Sequence, residues 1–362
     1  PTSAPIDLRS LLELARRYRT THLWVGPNSG VAPLQREIEA LQQKYDLFPV
    51  WRETKIPGRD APLTSLYARR IDEDTKKSAY NPIVIAFTEY SSWNFCKLPL
   101  NSAAFFEAVK EIEEGLAEQS VQLTASPAGT GMKFFRNRNV DRKHLLAKPT
   151  MDITSLPFIE SAKPLVWDRK PSRDELDGDM HLHCYDRNGS HARAAMTEQF
   201  GVGDPVHRVG GDFVRSEPGI WRVLLGGEYP HQLNPKFPLP TWDNPGWLAT
   251  PVVRNCVQAG LTVQVQASWS WPKGSYQPIL RTTTEDLIRL RTDASTPLVG
   301  QAWKSIFNDF IGCLRRNRPD MYATIVSSAR AAFWSKAYTL SRDLGIYPIA
   351  AEIDAWYYLS RD

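Results

Sequence analysis

The stretch HLHCYDRNGSHARAA (181–195) decides how this chain is to be read. It opens as a strand-like run and delivers one carboxylate, Asp186, at the start of Asp-Arg-Asn-Gly turn chemistry. Two segments far downstream give it meaning, KSIFNDFIG (304–312) and IAAEIDAWYYLS (349–360). The last is again an apolar, strand-like run, and it delivers Asp354. The middle one has helical spacing, which places Lys304 and Asn308 one turn apart on a single face and Gly312 a further turn along. Two strand-end carboxylates and a helix-borne lysine suit a site that holds Mg²⁺ against a nucleoside triphosphate. Singly, each residue has a plainer reading: Asp186 as a turn residue, Asp354 as a polar residue at a hairpin bend, Lys304 and Asn308 as a solvated helix face. Their joint order is what points to chemistry.

That order of carboxylate strand, lysine helix and carboxylate hairpin resembles the palm and fingers of family B DNA polymerases, of the divergent plasmid, phage or mobile-element kind. The family carries an Asp-x-x-Ser-Leu-Tyr-like motif, a Lys-x-x-x-Asn-x-x-Tyr-Gly helix and an Asp-Thr-Asp-like hairpin. Here these become Asp186-Arg187-Asn188-Gly189-Ser190-His191, Lys304 to Gly312, and Glu352-Ile353-Asp354-Ala355. The resemblance covers roughly the last half of the chain. It implies Mg²⁺ (or Mn²⁺) on Asp186 and Asp354 with Glu352 completing the ligand set, and catalysis by Asp186, Asp354 and Lys304. The nucleotide would meet Lys304, Asn308, Arg281, Arg289 and His191. The implied partners are DNA, as primer-template or single strand, nucleoside triphosphates, and a priming or replication protein.

Departures from the family pattern shape the expectation. Glu352 stands at the first aspartate of the third motif, keeping the charge on an arm one methylene longer. His191 sits near the tyrosine that excludes ribose 2′-hydroxyls, so loose sugar selection is expected. Ile311 replaces the tyrosine of the lysine helix and removes a stacking surface. No thumb is evident after the third motif, so processive synthesis by this chain alone is not expected. A start at Pro1 reads as a piece of something longer. A second class of function is therefore a polymerase-like fold kept as a nucleic-acid-binding or scaffolding module with reduced catalysis. A third, minor reading takes Asp-Met-His-Leu-His (179–183) as the opening of a metal-dependent phosphoesterase using His181 and His183. In a strand those histidines point to one face and Asp186 to the other.

With 362 residues the chain is long enough for two domains with developed cores. At 42% hydrophobic and 23% charged it has the balance of a globular protein, and its net charge of +4 permits a nucleic-acid partner without demanding one. Four scattered cysteines without a Cys-x-x-Cys pair argue against structural zinc and a disulfide framework, and for a reducing, cytoplasmic setting. No apolar run reaches the ~18 residues of a membrane span, and no signal-peptide pattern opens the chain. Twelve tryptophans and 27 prolines suggest irregular connections pinned by large apolar anchors.

The fold class expected is α/β (α+β). An N-terminal α/β domain over 1–150 precedes a palm over 151–362, which carries a helical-hairpin fingers insertion at about 279–317. The break is placed in the aperiodic, Pro-, Asp- and Lys-rich stretch 149–179. In the first half, helices are expected over 7–19, 33–45 and 102–119, and strands over 22–26, 47–51, 64–71 and 81–87. IVIAFTEYSS (83–92) loosely resembles the strand that opens a proofreading exonuclease. Only Glu89 in it is acidic, and one carboxylate cannot build a two-metal nuclease. The domain is thus non-catalytic or a decayed exonuclease. In the second half, 219–225 and 261–271 read as strands, and 246–260, 279–294, 297–317 and 321–345 as helices.

The segment KFFRNRNVDRKHLLAK (133–148) interleaves cations with aromatics. Lys133, Arg136, Arg138, Arg142 and Lys143 could neutralise phosphates while Phe134 and Phe135 stack on unpaired bases. The competing reading is a solvated basic edge whose phenylalanines face the core.

Overall fold

The computed structural model describes residues 8–17, 22–25, 41, 45–51, 63–70, 83–87, 102–124, 126–139, 145–147, 149, 166–176, 179–186, 189–226, 245–352 and 355–361. Contacts divide the chain into two units. One comprises Pro1–Arg138 with Leu287–Phe310, the other Asn139–Asp286 with Ile311–Asp362. The break after the N-terminal part thus falls at residue 138, and most of the segment read as fingers groups with the first unit. The expected helix over 33–45, apart from residue 41, which is helical, and Tyr45, which belongs to a strand, lies outside the described residues, as does Glu89.

The first unit is built on a four-stranded sheet ordered β1-β4-β3-β2: β1 (His22–Val25), β2 (Tyr45–Trp51), β3 (Leu63–Arg70) and β4 (Ile83–Phe87). β1 runs parallel to β4, while β3 is antiparallel to both its neighbours. Helix α1 (Leu8–Arg17) buries Leu8, Leu11, Leu12 and Ala15, the stripe its spacing predicts. Its wet face carries an Arg9–Glu13 pair at 3.4 Å. Two further helices follow, α2 (Ser102–Ala117) and α3 (Pro127–Arg138).

Glycines set how closely this unit's helices approach. The later helix α8 (Pro297–Asn317) crosses α3 at Gly131, where a Cβ would lie 2.7 Å from Phe310 and 2.8 Å from the Ile306 carbonyl oxygen. The rings of Phe135 and Phe310 stack beside that crossing, with centroids 5.7 Å apart. On α2, Gly115 admits the Trp303 indole in the same way.

Among the described residues the second unit holds three sheets. One is ordered β10-β9-β11-β8, with β8 (Val206–Val209), β9 (Gly219–Gly226), β10 (Gly246–Ala249) and β11 (Thr262–Ser270). A two-stranded ribbon pairs β7 (Phe200–Gly201) with β12 (Tyr276–Gln277). The third is ordered β5-β13-β14-β6: β5 (Val166–Asp168), β6 (His181–Asp186), β13 (Ala350–Glu352) and β14 (Ala355–Ser360). Its helices are α4 (Arg173–Leu176), α5 (Ser190–Thr197), α6 (Thr250–Gln258) and α9 (Pro319–Leu344), and α7 (Arg281–Thr292) begins in it. Segment 246–260, read from sequence as one helix, is strand β10 followed by α6. Pro251 suits the first turn of a helix but could not continue one through it, and Gly260 closes the segment at φ +90°.

Helix α9 serves two sheets. Ala331 packs into a core with Trp221, Val223, Leu248, Val253 and Val265. Phe333, Trp334 and Ala337 pack with Ala351, Trp356 and Tyr358 of the third sheet. Burying each large apolar side chain of this kind contributes about 1.5–3 kcal/mol. Gly345, at φ +66°, ends the helix in the left-handed cap that glycine takes without strain. At the other end Arg318, 1% exposed, forms a two-point ion pair with Asp320 and donates to the carbonyls of Leu145 and Gly201. This guanidinium ties two distant stretches of chain to the start of α9.

Candidate active site

The third sheet of the second unit carries the carboxylates. Pairing is antiparallel throughout, and its register sets which side chains share a face. Across the sheet, Val166, Glu352, Ala355 and Asp186 form one row, and Asp168, Ala350, Tyr357 and Cys184 the next. Both rows lie on the face away from α9, because the alternate residues Ala351, Trp356 and Tyr358 are the ones buried against that helix. Asp168, Cys184, Asp186 and Glu352 are exposed on this open face. β13 ends at Glu352 and β14 begins at Ala355. Asp354, between them in sequence, lies outside the described residues.

Tyr357, in the second row, feels the charges of the first. The Tyr357 phenol is hydrogen-bonded with Cys184, which holds it above the usual tyrosine range. The negative charges of Glu352 and Asp186 push it in the same direction. One hydroxyl thus senses both carboxylates. Neither Tyr357 nor Asp168 was singled out from sequence. Asp168 falls in the stretch read as an aperiodic boundary, and three residues of β5 are too short to show a period. Tyr357 belongs to no motif; only its alternation with Trp356 and Tyr358 signals that it faces the other way.

Arg169 anchors β5 beside the site. Its guanidinium makes a two-point pair with Glu175 at 2.6 and 2.7 Å, and its Nε donates to the Pro348 carbonyl at 2.8 Å. That pairing with Arg169 holds the Glu175 carboxyl down at about 2.

The remaining expected site residues divide between the units. In the second unit His191 is half-buried on α5, just after Asp186 in sequence, and Arg281 donates from Nε to the Met196 carbonyl at the end of α5. In the first unit Lys304 and Asn308 are exposed on one face of α8, as their spacing predicts. Arg289 is exposed and pairs with Glu118 at 3.6 Å. Ile311, at the tyrosine position of the family motif, is buried and so contributes to packing.

For the basic segment the fold decides between the two readings of its phenylalanines. Its first part is the end of α3, with Lys133, Arg136 and Arg138 exposed. Phe134 and Phe135 are 0% and 1% exposed, so they pack in the core and offer no stacking surface to bases. Phe134 and Phe135 lie together with Thr130 and Gly131 on the buried face of the helix while Lys133, Arg136 and Arg138 lie on the wet one, and the 3.6-residue period brings the two faces round in turn, which is why cations and aromatics interleave there. Arg142 and Lys143 lie outside the described residues.

His181 and His183 project from β6 on the side of Trp356 and Tyr358, opposite Asp186, with ring centroids 6.4 Å apart. Asp186 therefore cannot join them around one ion. Among the described residues no three His, Cys, Asp or Glu side chains are grouped to hold a metal. The donors that share one row of the open face, Asp186 and Glu352, are hard carboxylate oxygens, a set that fits Mg²⁺ or Mn²⁺. No described helix is long and apolar enough to cross a membrane.

No family model matches the chain, and no curated protein does. Solved structures do. Phi29 DNA polymerase in a ternary complex with primer-template DNA and incoming nucleotide is similar over 97% of this chain and 73% of its own, at TM-score 0.57 and 10% identity. The same polymerase with single-stranded DNA matches over 98% and 74%, at TM-score 0.55 and again 10% identity. The fold of this protein is therefore polymerase-like, at a distance where sequence identity carries no information about residues.

Proposed function

We propose that this chain is a nucleotidyltransferase of the DNA polymerase type that acts in the replication of plasmid, phage or other mobile-element DNA. The observation that carries this reading is the single row that puts Asp186 and Glu352 on the open face of the sheet, within a polymerase fold spanning the chain. Asp186 and Asp354, with Glu352, would hold Mg²⁺ or Mn²⁺. Such an ion, when bound, neutralises the carboxylates and stabilises the charge on a phosphoryl group in transfer. The carboxylates orient it from a sheet made rigid by α9. Lys304 and Asn308 take the triphosphate, an assignment supported by their motif and their exposure on α8. His191 has a nucleotide role on the grounds of the first motif, and Arg281 and Arg289 have theirs from their place on the first helix of the expected fingers pair. DNA and nucleoside triphosphates are the substrates, and a priming or replication protein is the expected partner.

Glu352, where the family has aspartate, favours a second reading in which the fold is kept for nucleic-acid binding with its chemistry reduced. One experiment separates the two. Purified protein is incubated with a primer-template, labelled nucleotides and Mg²⁺ or Mn²⁺. Extension that disappears in Asp186→Asn supports transfer. DNA binding without extension under either metal supports the scaffold.

A further inference from the structure

Ala355 is the one residue that lies between Glu352 and Asp186 on their shared row, paired to Glu352 on one side and to Asp186 on the other. It is half-buried, while both its neighbours in the row are exposed. Directly paired strand residues stand about 5 Å apart at Cα, so the two carboxylate-bearing Cα atoms are about 10 Å apart. A divalent cation with metal–oxygen bonds of about 2.1 Å needs its carboxylate oxygens within about 4 Å of each other. Both side chains must therefore lean inward, and the space they close is the space above Ala355. Aspartate reaches little way into that span. The longer glutamate arm at 352 reaches further, which gives a geometric sense to the departure from the family's aspartate. The neighbouring row shows the contrast, since its middle position carries the bulky Tyr357.

We propose that Ala355 is a positioning residue of the carboxylate site: by presenting only a methyl group between Glu352 and Asp186, it leaves room for a divalent cation that both can reach. This rests on the nucleotidyltransferase reading above. A larger side chain at 355 keeps the two carboxylates and their charge but occupies the point where they meet. Strand structure is not the casualty, because valine favours a pleated strand more than alanine does. The same enlargement one row away, at Ala350, leaves the meeting point clear.

The test measures Mn²⁺ binding to the full chain by electron paramagnetic resonance of the free ion, with circular dichroism melting as the check on folding. Wild type, Ala355→Val, Ala355→Leu, Ala355→Ser, Ala350→Val and Asp186→Asn are compared. The two large substitutions at 355 should weaken Mn²⁺ binding by about 10–100-fold, the range of other residues that orient metal ligands. Melting should be unchanged for at least the valine variant, and Ala355→Ser and Ala350→Val should bind as wild type does. Wild-type affinity in Ala355→Val, or an equal loss in Ala350→Val, overturns the inference. If Asp186→Asn abolishes binding while both large 355 variants bind normally, only this inference falls and the metal-site reading stands. A wild-type chain that binds no Mn²⁺ overturns both.

Discussion

Asp186 and Glu352 stand two strands apart on one exposed row, where each leaves the other's charge uncompensated. Removing one charge from that face should therefore separate chemistry from affinity. Asp186→Asn and Asp354→Asn are expected to cut nucleotide incorporation by at least about 100-fold. DNA binding should stay the same or tighten slightly, since a negative charge is lost; a fluorescence-anisotropy titration beside primer extension reads both. Lys304→Ala should raise the nucleotide KM and slow transfer, because a fixed cation is taken from the triphosphate. At His191 an imidazole, smaller than the family's tyrosine and able to hydrogen-bond, should let ribonucleotides in. Comparing kcat/KM for ribo- and deoxyribonucleotides checks this, and strong exclusion of ribose would assign the gate to another residue.

Single ties hold whole elements. The Arg169–Glu175 pair joins β5 and α4 to the chain entering β13, and its effect on stability has a definite sign with pH. Glu175 is depressed to about 2 in the folded protein, against about 4.3 for a free glutamate. Its stabilisation is thus complete above about 4.3 and lost as pH falls through about 2. Arg169→Ala should lower stability at neutral pH by about 2 kcal/mol and flatten the acid limb of the unfolding curve between those values. Arg318→Ala should cost more, about 3–5 kcal/mol, because it strands Asp320 as an unpaired buried charge. Gly131→Ala sets two effects against each other on α3. Helix propensity gains about 1 kcal/mol, but overpacking costs about 1–3 kcal/mol. The nearest obstacle includes the Ile306 backbone, which cannot swing aside, so net destabilisation in urea melts is expected.

Across the whole molecule the cations are dispersed rather than gathered in a base-reading motif, and the net charge of +4 is modest. Binding to nucleic acid should thus rest on phosphate contacts, falling steeply with salt and differing little between unrelated sequences. Replacing Arg136, Arg138, Arg142 and Lys143 together by alanine should weaken binding and flatten the slope of log K against log salt. An unchanged slope would remove this segment from the binding surface. Because Phe134 and Phe135 are core residues, their substitution should lower stability without changing the salt slope.

Local pattern alone determined a good part of this protein. Period-two runs marked β6, β9, β11 and the strand after Asp354, and helical spacing marked α1, α2 and α7 to α9. Lys304 and Asn308 share an exposed face because residues four apart on a helix always do. The three motifs in order pointed to a polymerase fold that the whole-chain likeness then showed at 10% identity. Burial was not legible in the basic segment, since a run that mixes cations with phenylalanines looks the same whether its rings meet bases or a core. Nor was the site's second row. Asp168, Cys184 and Tyr357 are drawn together by strand order and register, which pair residues roughly 170 to 190 positions apart. A sequence fixes the alternation along one strand. Which residues of other strands lie beside it is decided only when the sheet assembles, because pairing in register is a property of the strands together.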